Sequence, residues 1–314
     1  MFILQFGCKY TQFIVILQKN PNKSLVVFGI YCNFARTESG LLYLSTMRKQ
    51  FWITAKQFLL YLLLSQGIMA LGMIFAIATG PKGLDKEAMM EFAFNSSITK
   101  FFAALGYIAT IAVFLGKHYV KLSTGRLERS KLGQIACMAA LVSWGWMFTE
   151  ADILQLIDAD KLFPDEAEEL EQFGKMMGGF YGLVVGGILA PIAEEIGFRG
   201  VLTGGLLRMR CKPWVAIIIS ALIFAFFHGT YLQLLGTTVF GIIAGWLYWR
   251  TKSLIPGMIV HIVNNSTAFG LEMIIGDEDP SKKVCVLLII VFLPLSLFGL
   301  KWFSGPQALR SQVH

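Results

Sequence analysis

The chain is dominated by a succession of apolar stretches with charges confined to the turns between them. They run at about 57–79, 101–115, 133–148, 175–207, 214–228, 232–249, 256–273 and 283–302. In hydrocarbon every backbone N–H and C=O must bond within its own segment, and a helix of about 20 residues is what crosses the layer. The expected fold is therefore all-α, a polytopic transmembrane helical bundle of about eight spans. A composition of 55% hydrophobic and 15% charged residues over 314 positions, with mean hydropathy +0.63, lies far from that of a soluble domain.

The net charge of +7 resides mostly in short turns. The loop holding Lys117, Lys121, Arg126, Arg129 and Lys131 carries only Glu128 against them, and Arg208, Arg210 and Lys212 form another basic turn. Such turns mark the cytoplasmic side of a membrane protein, so the expected partner is the lipid bilayer and not nucleic acid. Alternation of basic and acidic loops puts the Met47 end and the C-terminus in the cytoplasm. The acid-rich run from Asp158 to Glu171 reads as a solvated amphipathic helix on the other side. An integral membrane protein of the bacterial plasma membrane is the expected setting. The five cysteines have no ligand or disulfide spacing.

Four segments follow. Residues 1–46, interrupted by Lys9, Lys19, Pro21, Lys23 and Arg36, read as a poorly structured or dispensable N-terminal extension, with Met47-Arg48-Lys49 the more natural start. Residues 47–175 hold the N-terminal transmembrane helices. Residues 176–273 hold the polar residues that carry chemistry, and residues 274–314 the last span and a cytoplasmic tail.

Pro191 to Arg199 reads P-I-A-E-E-I-G-F-R inside an apolar stretch, where ionisable side chains are costly. On a helix Glu195 and Arg199 stand at i and i+4 and can neutralise each other. Glu194 is left over, able to take or give a proton. A purely structural ion pair locking two helices is the competing reading. Of four histidines, His118 lies in a basic loop and His314 ends the chain, while His228 and His261 sit in or beside apolar helices. If 191–207 and 214–228 form a hairpin about Cys211, Glu194 and His228 are equally far from the turn, at about 25 Å for α-helical rise. His261 and Asn265, again i and i+4, share a face of the next descending helix.

Two chemistries fit this set. A carboxylate assisted by an imidazole can activate water for peptide hydrolysis, while a second imidazole and an amide stabilise the oxyanion. Alternatively Glu194, His228 and His261 are candidate ligands for a divalent metal such as zinc. No HExxH or GxSxG occurs. The ordered motifs Glu194-Glu195-xxx-Arg199, Phe224-xxx-His228 and His261-xxx-Asn265 resemble those of the CPBP intramembrane proteases. That family groups the type II CAAX prenyl endopeptidases with bacteriocin-processing and immunity proteins of the Abi domain. The resemblance covers 176–270. It implies a helical membrane protease with Glu194 as main catalytic carboxylate and His228 as its partner. His261 and Asn265 would be transition-state or metal-binding groups, Glu195 and Arg199 supporting ones, and Phe224 a cavity wall. Family proposals include both metal-dependent and glutamate-dependent hydrolysis, leaving the cofactor open. The implied substrate is a membrane-associated protein or peptide. The alternative is a non-catalytic binding or immunity module on the same scaffold.

Overall fold

The structure, a computed structural model, describes residues 2–8, 11–17, 38–123, 127–275, 280–306 and 309. Arg126, the acidic turn Asp277 to Asp279, half of the proposed 1–46 extension and His314 lie outside the described residues. The chain divides into two compact units, Met1–Ile53 and Thr54–His314.

The first unit contains an antiparallel hairpin of β1 (Phe2–Cys8) and β2 (Thr11–Leu17), with Phe2 opposite Leu17 and Cys8 opposite Thr11. Helix α1 (Glu38–Leu62) starts before Met47 and continues through a π-helical turn, Leu63–Gly67, into α2 (Ile68–Thr79). Next come α3 (Lys86–Asn95), capped by the Asp85 carboxylate accepting from Ala88 N–H, and α4 (Ser97–Gly116), capped by Ser96. These side chains satisfy amide groups that a helix start leaves without a partner. Helix α5 (Leu132–Leu156) leads through α6 (Ala159–Leu162) to the acidic α7 (Pro164–Met177).

The short α8 (Gly179–Tyr181) opens an irregular helix that holds a π segment, Gly182–Leu189, then α9 (Ala190–Glu194). A second π segment, Glu195–Thr203, and α10 (Gly204–Arg208) complete it. The remainder is α11 (Pro213–Phe226), α12 (Tyr231–Thr251), α13 (Ile255–Ile275) and α14 (Lys282–Ser304).

All eight apolar stretches are largely helical, and among the described residues six helices are long and apolar enough to cross a membrane. Helix α11, at 14 residues, is too short to do so alone. Helix α13 has 21 residues but carries His261, Asn264, Asn265 and Ser266. Leu71, Ile74, Phe101, Leu222, Leu287 and Ile290 are exposed. A surface this apolar suits lipid and would drive aggregation in water. The protein is thus an integral membrane helical bundle.

Helices α5 and α14 approach each other closely because Gly145 allows it: a Cβ there would stand 2.6 Å from Phe292 O. Small residues that let backbones touch are the usual cement of membrane helices, where lipid offers no hydrophobic drive for association. The core runs through Tyr61, Ile196, Phe198, Phe224, Phe240 and Leu247, and Arg199 is among its largest fully buried side chains.

Candidate active site

The polar cluster hangs on the irregular helix at 179–208, and a physical cause of its irregularity sits at Pro191. Proline has no N–H, so the bond to Gly187 O in an α pattern, or to Gly186 O in a π pattern, cannot form. Away from water an orphaned carbonyl must find another donor. Helix α13 supplies two: Asn265 Nδ2 donates to Gly186 O and Ser266 Oγ to Gly187 O, each at 3.1 Å. Gly187 makes this approach possible, since a Cβ there would lie 2.9 Å from Ser266 Oγ. Asn265 Oδ1 in turn accepts from Asn264 Nδ2 at 3.3 Å.

Glu194 ends α9 and Glu195 opens the second π segment. Arg199 Nη1 lies 2.9 Å from Glu195 Oε1, with the two side chains 1% and 0% exposed. The guanidinium sits 4.5 Å from the Phe224 ring centre and 5.9 Å from that of Phe240, and Nη2 donates to Gly241 O at 3.5 Å. Such stacking suits a weakly hydrated planar cation and lowers the cost of burying it.

His261 joins the two carboxylates. Its Nδ1 is 3.1 Å from Glu195 Oε1 and its Nε2 is 3.6 Å from Glu194 Oε2. Glu195, held by Arg199, is an acceptor, so Nδ1 carries the hydrogen and donates it, which turns Nε2 toward Glu194. The ring is fixed edge-on to Phe240 at 4.8 Å and Phe224 at 5.8 Å. Glu195 is sealed from solvent, whereas 18% of the Glu194 side chain is exposed. Of the two carboxylates, Glu194 alone keeps exposed surface.

His228 lies in the turn after α11. Its Nδ1 is 2.9 Å from Phe224 O, and its ring packs 4.5 Å from the Phe224 ring. Both imidazoles therefore contact Phe224, which is 1% exposed. Among the described residues His228 makes no ion pair with Glu194, and His261 occupies that place. The equal depths read from residue counts do not carry over. One leg of the hairpin contains π turns, which spend more residues per unit height than α turns, and the other is α-helical only to Phe226. The two legs are joined by Ser220 Oγ donating to Phe198 O at 2.9 Å and by the Phe198 and Phe224 rings 5.0 Å apart.

No group of three His, Cys, Asp or Glu among the described residues is placed to hold a metal ion. Of the expected ligands, Glu194 and His261 face each other while His228 Nδ1 is engaged by Phe224 O. As placed, Glu194, His228 and His261 do not form a three-ligand cluster.

Residues 177–267 match the family model described as Type II CAAX prenyl endopeptidase Rce1-like. Over this segment, less than a third of its length, the chain is similar to that family. A curated relative, "Putative membrane peptidase YdiL" of Bacillus subtilis (strain 168), is 33% identical over 84 residues. The matched stretch is 27% of this chain and 34% of that relative, so the chain spans about a third of the relative's length. No solved structure matches the chain. The matched segment takes in α9, the π segments, α10 to α12 and most of α13, and so holds Glu194, Glu195, Arg199, His228, His261 and Asn265.

Proposed function

We propose that the protein is an intramembrane endopeptidase that hydrolyses a peptide bond of a membrane-associated protein or peptide, with Glu194 as general base. The observation that carries this reading is His261 spanning a sealed Glu195–Arg199 pair and a Glu194 carboxylate that water can reach. The family match and the membrane-peptidase name of the relative support the same reaction class.

Glu194 takes a proton from a water molecule, and the resulting hydroxide oxygen bonds to the carbonyl carbon. The carbonyl electron pair moves onto oxygen, giving a tetrahedral oxyanion. Protonated Glu194 then passes its proton to the amide nitrogen as the C–N bond breaks, leaving a carboxylate and an amine. His261 Nε2 stands 3.6 Å from Glu194 Oε2, while Glu195 and Arg199 fix the imidazole from behind. His228 gives its Nδ1–H to Phe224 O, which leaves Nε2 as a proton acceptor beside the Phe224 ring that His261 also touches. Asn265 positions the helix that carries Glu194 by bonding Gly186 O.

The test is cleavage of a quenched fluorescent peptide library by the purified protein in detergent. Glu194→Ala should lower turnover by at least about 10³-fold, within the range of removing a general base, while the variant still accumulates in the membrane. Undiminished cleavage by that variant refutes the assignment.

A further inference from the structure

In the arrangement described above a peptide bond has no room beside Glu194. That side chain is 18% exposed, while His261 is 3% and Phe224 1% exposed. A scissile bond must come within hydrogen-bond reach of its base, and the residues on either side of it need space too. Some element bordering the site must therefore move. Side-chain bonds and rings tie α11 and α13 to the irregular helix, through Ser220 and Phe198 for the first and Asn265 and Ser266 for the second.

Helix α7 is fastened differently. Its acids Asp165 and Glu169 are exposed, whereas Glu166, Leu170, Gly174 and Met177 make a half-buried stripe at helical spacing, so it lies on the bundle by one face. Both of its ends reach residues beside the site. At its start Glu166 Oε2 accepts from Leu232 N–H at 3.0 Å, four residues after His228, and the Phe163 ring stands 6.4 Å from that of Tyr231. At its end Met177 packs on Gly186, where a Cβ would lie 3.2 Å from Met177 Cε, and Gly186 O is the carbonyl that Asn265 holds. The helix thus runs from the His228 turn to the Asn265 anchor.

The first fastening is one that can be released. Leu232 N–H belongs to the amides that a helix start leaves without a partner, and a carboxylate is favoured there. Water can replace either partner when they separate, so breaking the bond costs little. Directly after α7 come Gly178 and Gly179, the latter at φ +74, a conformation that glycine adopts without strain and that gives the chain a swivel.

We propose that α7 is a lid across the route to Glu194, latched by Glu166 to the start of α12 and hinged at Gly178 and Gly179, which swings aside to admit the peptide.

The test locks and unlocks the lid in the full-length protein in detergent, with Cys8, Cys32, Cys137 and Cys211 replaced by serine. Phe163→Cys combined with Tyr231→Cys is bridged by a short bifunctional methanethiosulfonate, the bridge is verified by mass, and cleavage of a quenched peptide is followed before and after reduction. Bridging should lower kcat/KM at least about tenfold, reversibly, as for an enzyme whose lid is held shut. Neither single variant should respond to the reagent. For unlocking, Glu194→Cys is labelled with a water-soluble maleimide, alone and together with Glu166→Ala, which should speed labelling at least about threefold by raising the open population. The cleavage arm rests on the peptidase reading and the labelling arm does not. A bridged protein that cleaves as fast as the reduced one, while Glu194→Ala is dead, overturns the lid and leaves the peptidase reading standing. If Glu194→Ala remains active, the peptidase reading falls and labelling alone decides the lid, as it does if the cysteine pair fails to accumulate. An unchanged labelling rate overturns the lid in every case.

Discussion

An arginine with 1% of its side chain exposed survives in a membrane bundle only because Glu195 and the Phe224 and Phe240 rings enclose it. Removing one member of a buried pair leaves an uncompensated charge, so Arg199→Met should cost about 3–5 kcal/mol of stability. Pairing it with Glu195→Leu should return most of that loss, since an apolar pair of similar volume is often neutral or better. Activity should not return, because His261 Nδ1 loses its acceptor. Unfolding in detergent and peptide cleavage, measured on the single and double variants, check the two halves separately. This pair was legible in the sequence because i and i+4 meet on a helix face whatever surrounds it. The partner of Glu194 was not legible. Whether His228 or His261 reaches it depends on how α11 and α13 are rotated about their axes, and spacing along a single chain contains no such angle.

At the scale of elements, the bond between α13 and the irregular helix follows from a single missing hydrogen at Pro191. Asn265→Ala should leave Gly186 O without its donor, at a cost of about 1–3 kcal/mol, and so weaken the grip on α9. If that account is right, Pro191→Ala should restore an N–H within the helix and make the loss of Asn265 less costly. A double-mutant cycle on unfolding free energy reads the coupling, expected at roughly 0.5–3 kcal/mol for groups in contact. Additive effects would show that the two residues act independently. The long apolar helices were readable from apolar runs and basic turns, because hydrocarbon admits little else, whereas α3 lies in a stretch that reads as a loop. The π segments were not. They arise where proline, closely packed glycines and a neighbouring helix combine, and depth counted at α-helical rise fails across them.

Across the whole molecule, the acidic side is tied by a charge cluster away from the membrane-spanning stretches. Lys161 Nζ lies 2.8 Å from Asp158 Oδ1, and Lys282, at the start of α14, bonds Asp158 Oδ2. The hydrogen bonds from Lys161 and then Lys282 hold the Asp158 carboxyl down to about 2. A depressed carboxyl stabilises the fold above its unfolded value, about 3.9, and that contribution disappears as pH falls toward 2. Wild type should therefore melt above Asp158→Asn at neutral pH, and the gap should close between about pH 4 and 2; a gap independent of pH would refute the linkage. The bundle was predictable at this scale, yet one of its members is not a full crossing. Helix α11 has 14 residues, about 21 Å of rise against a hydrocarbon layer of about 30 Å, and it ends beside exposed Phe226, Phe227 and Tyr231. Aromatic rings gather where lipid meets water. A rod with so little rise brings its His228 end out into lipid unless the layer thins around it.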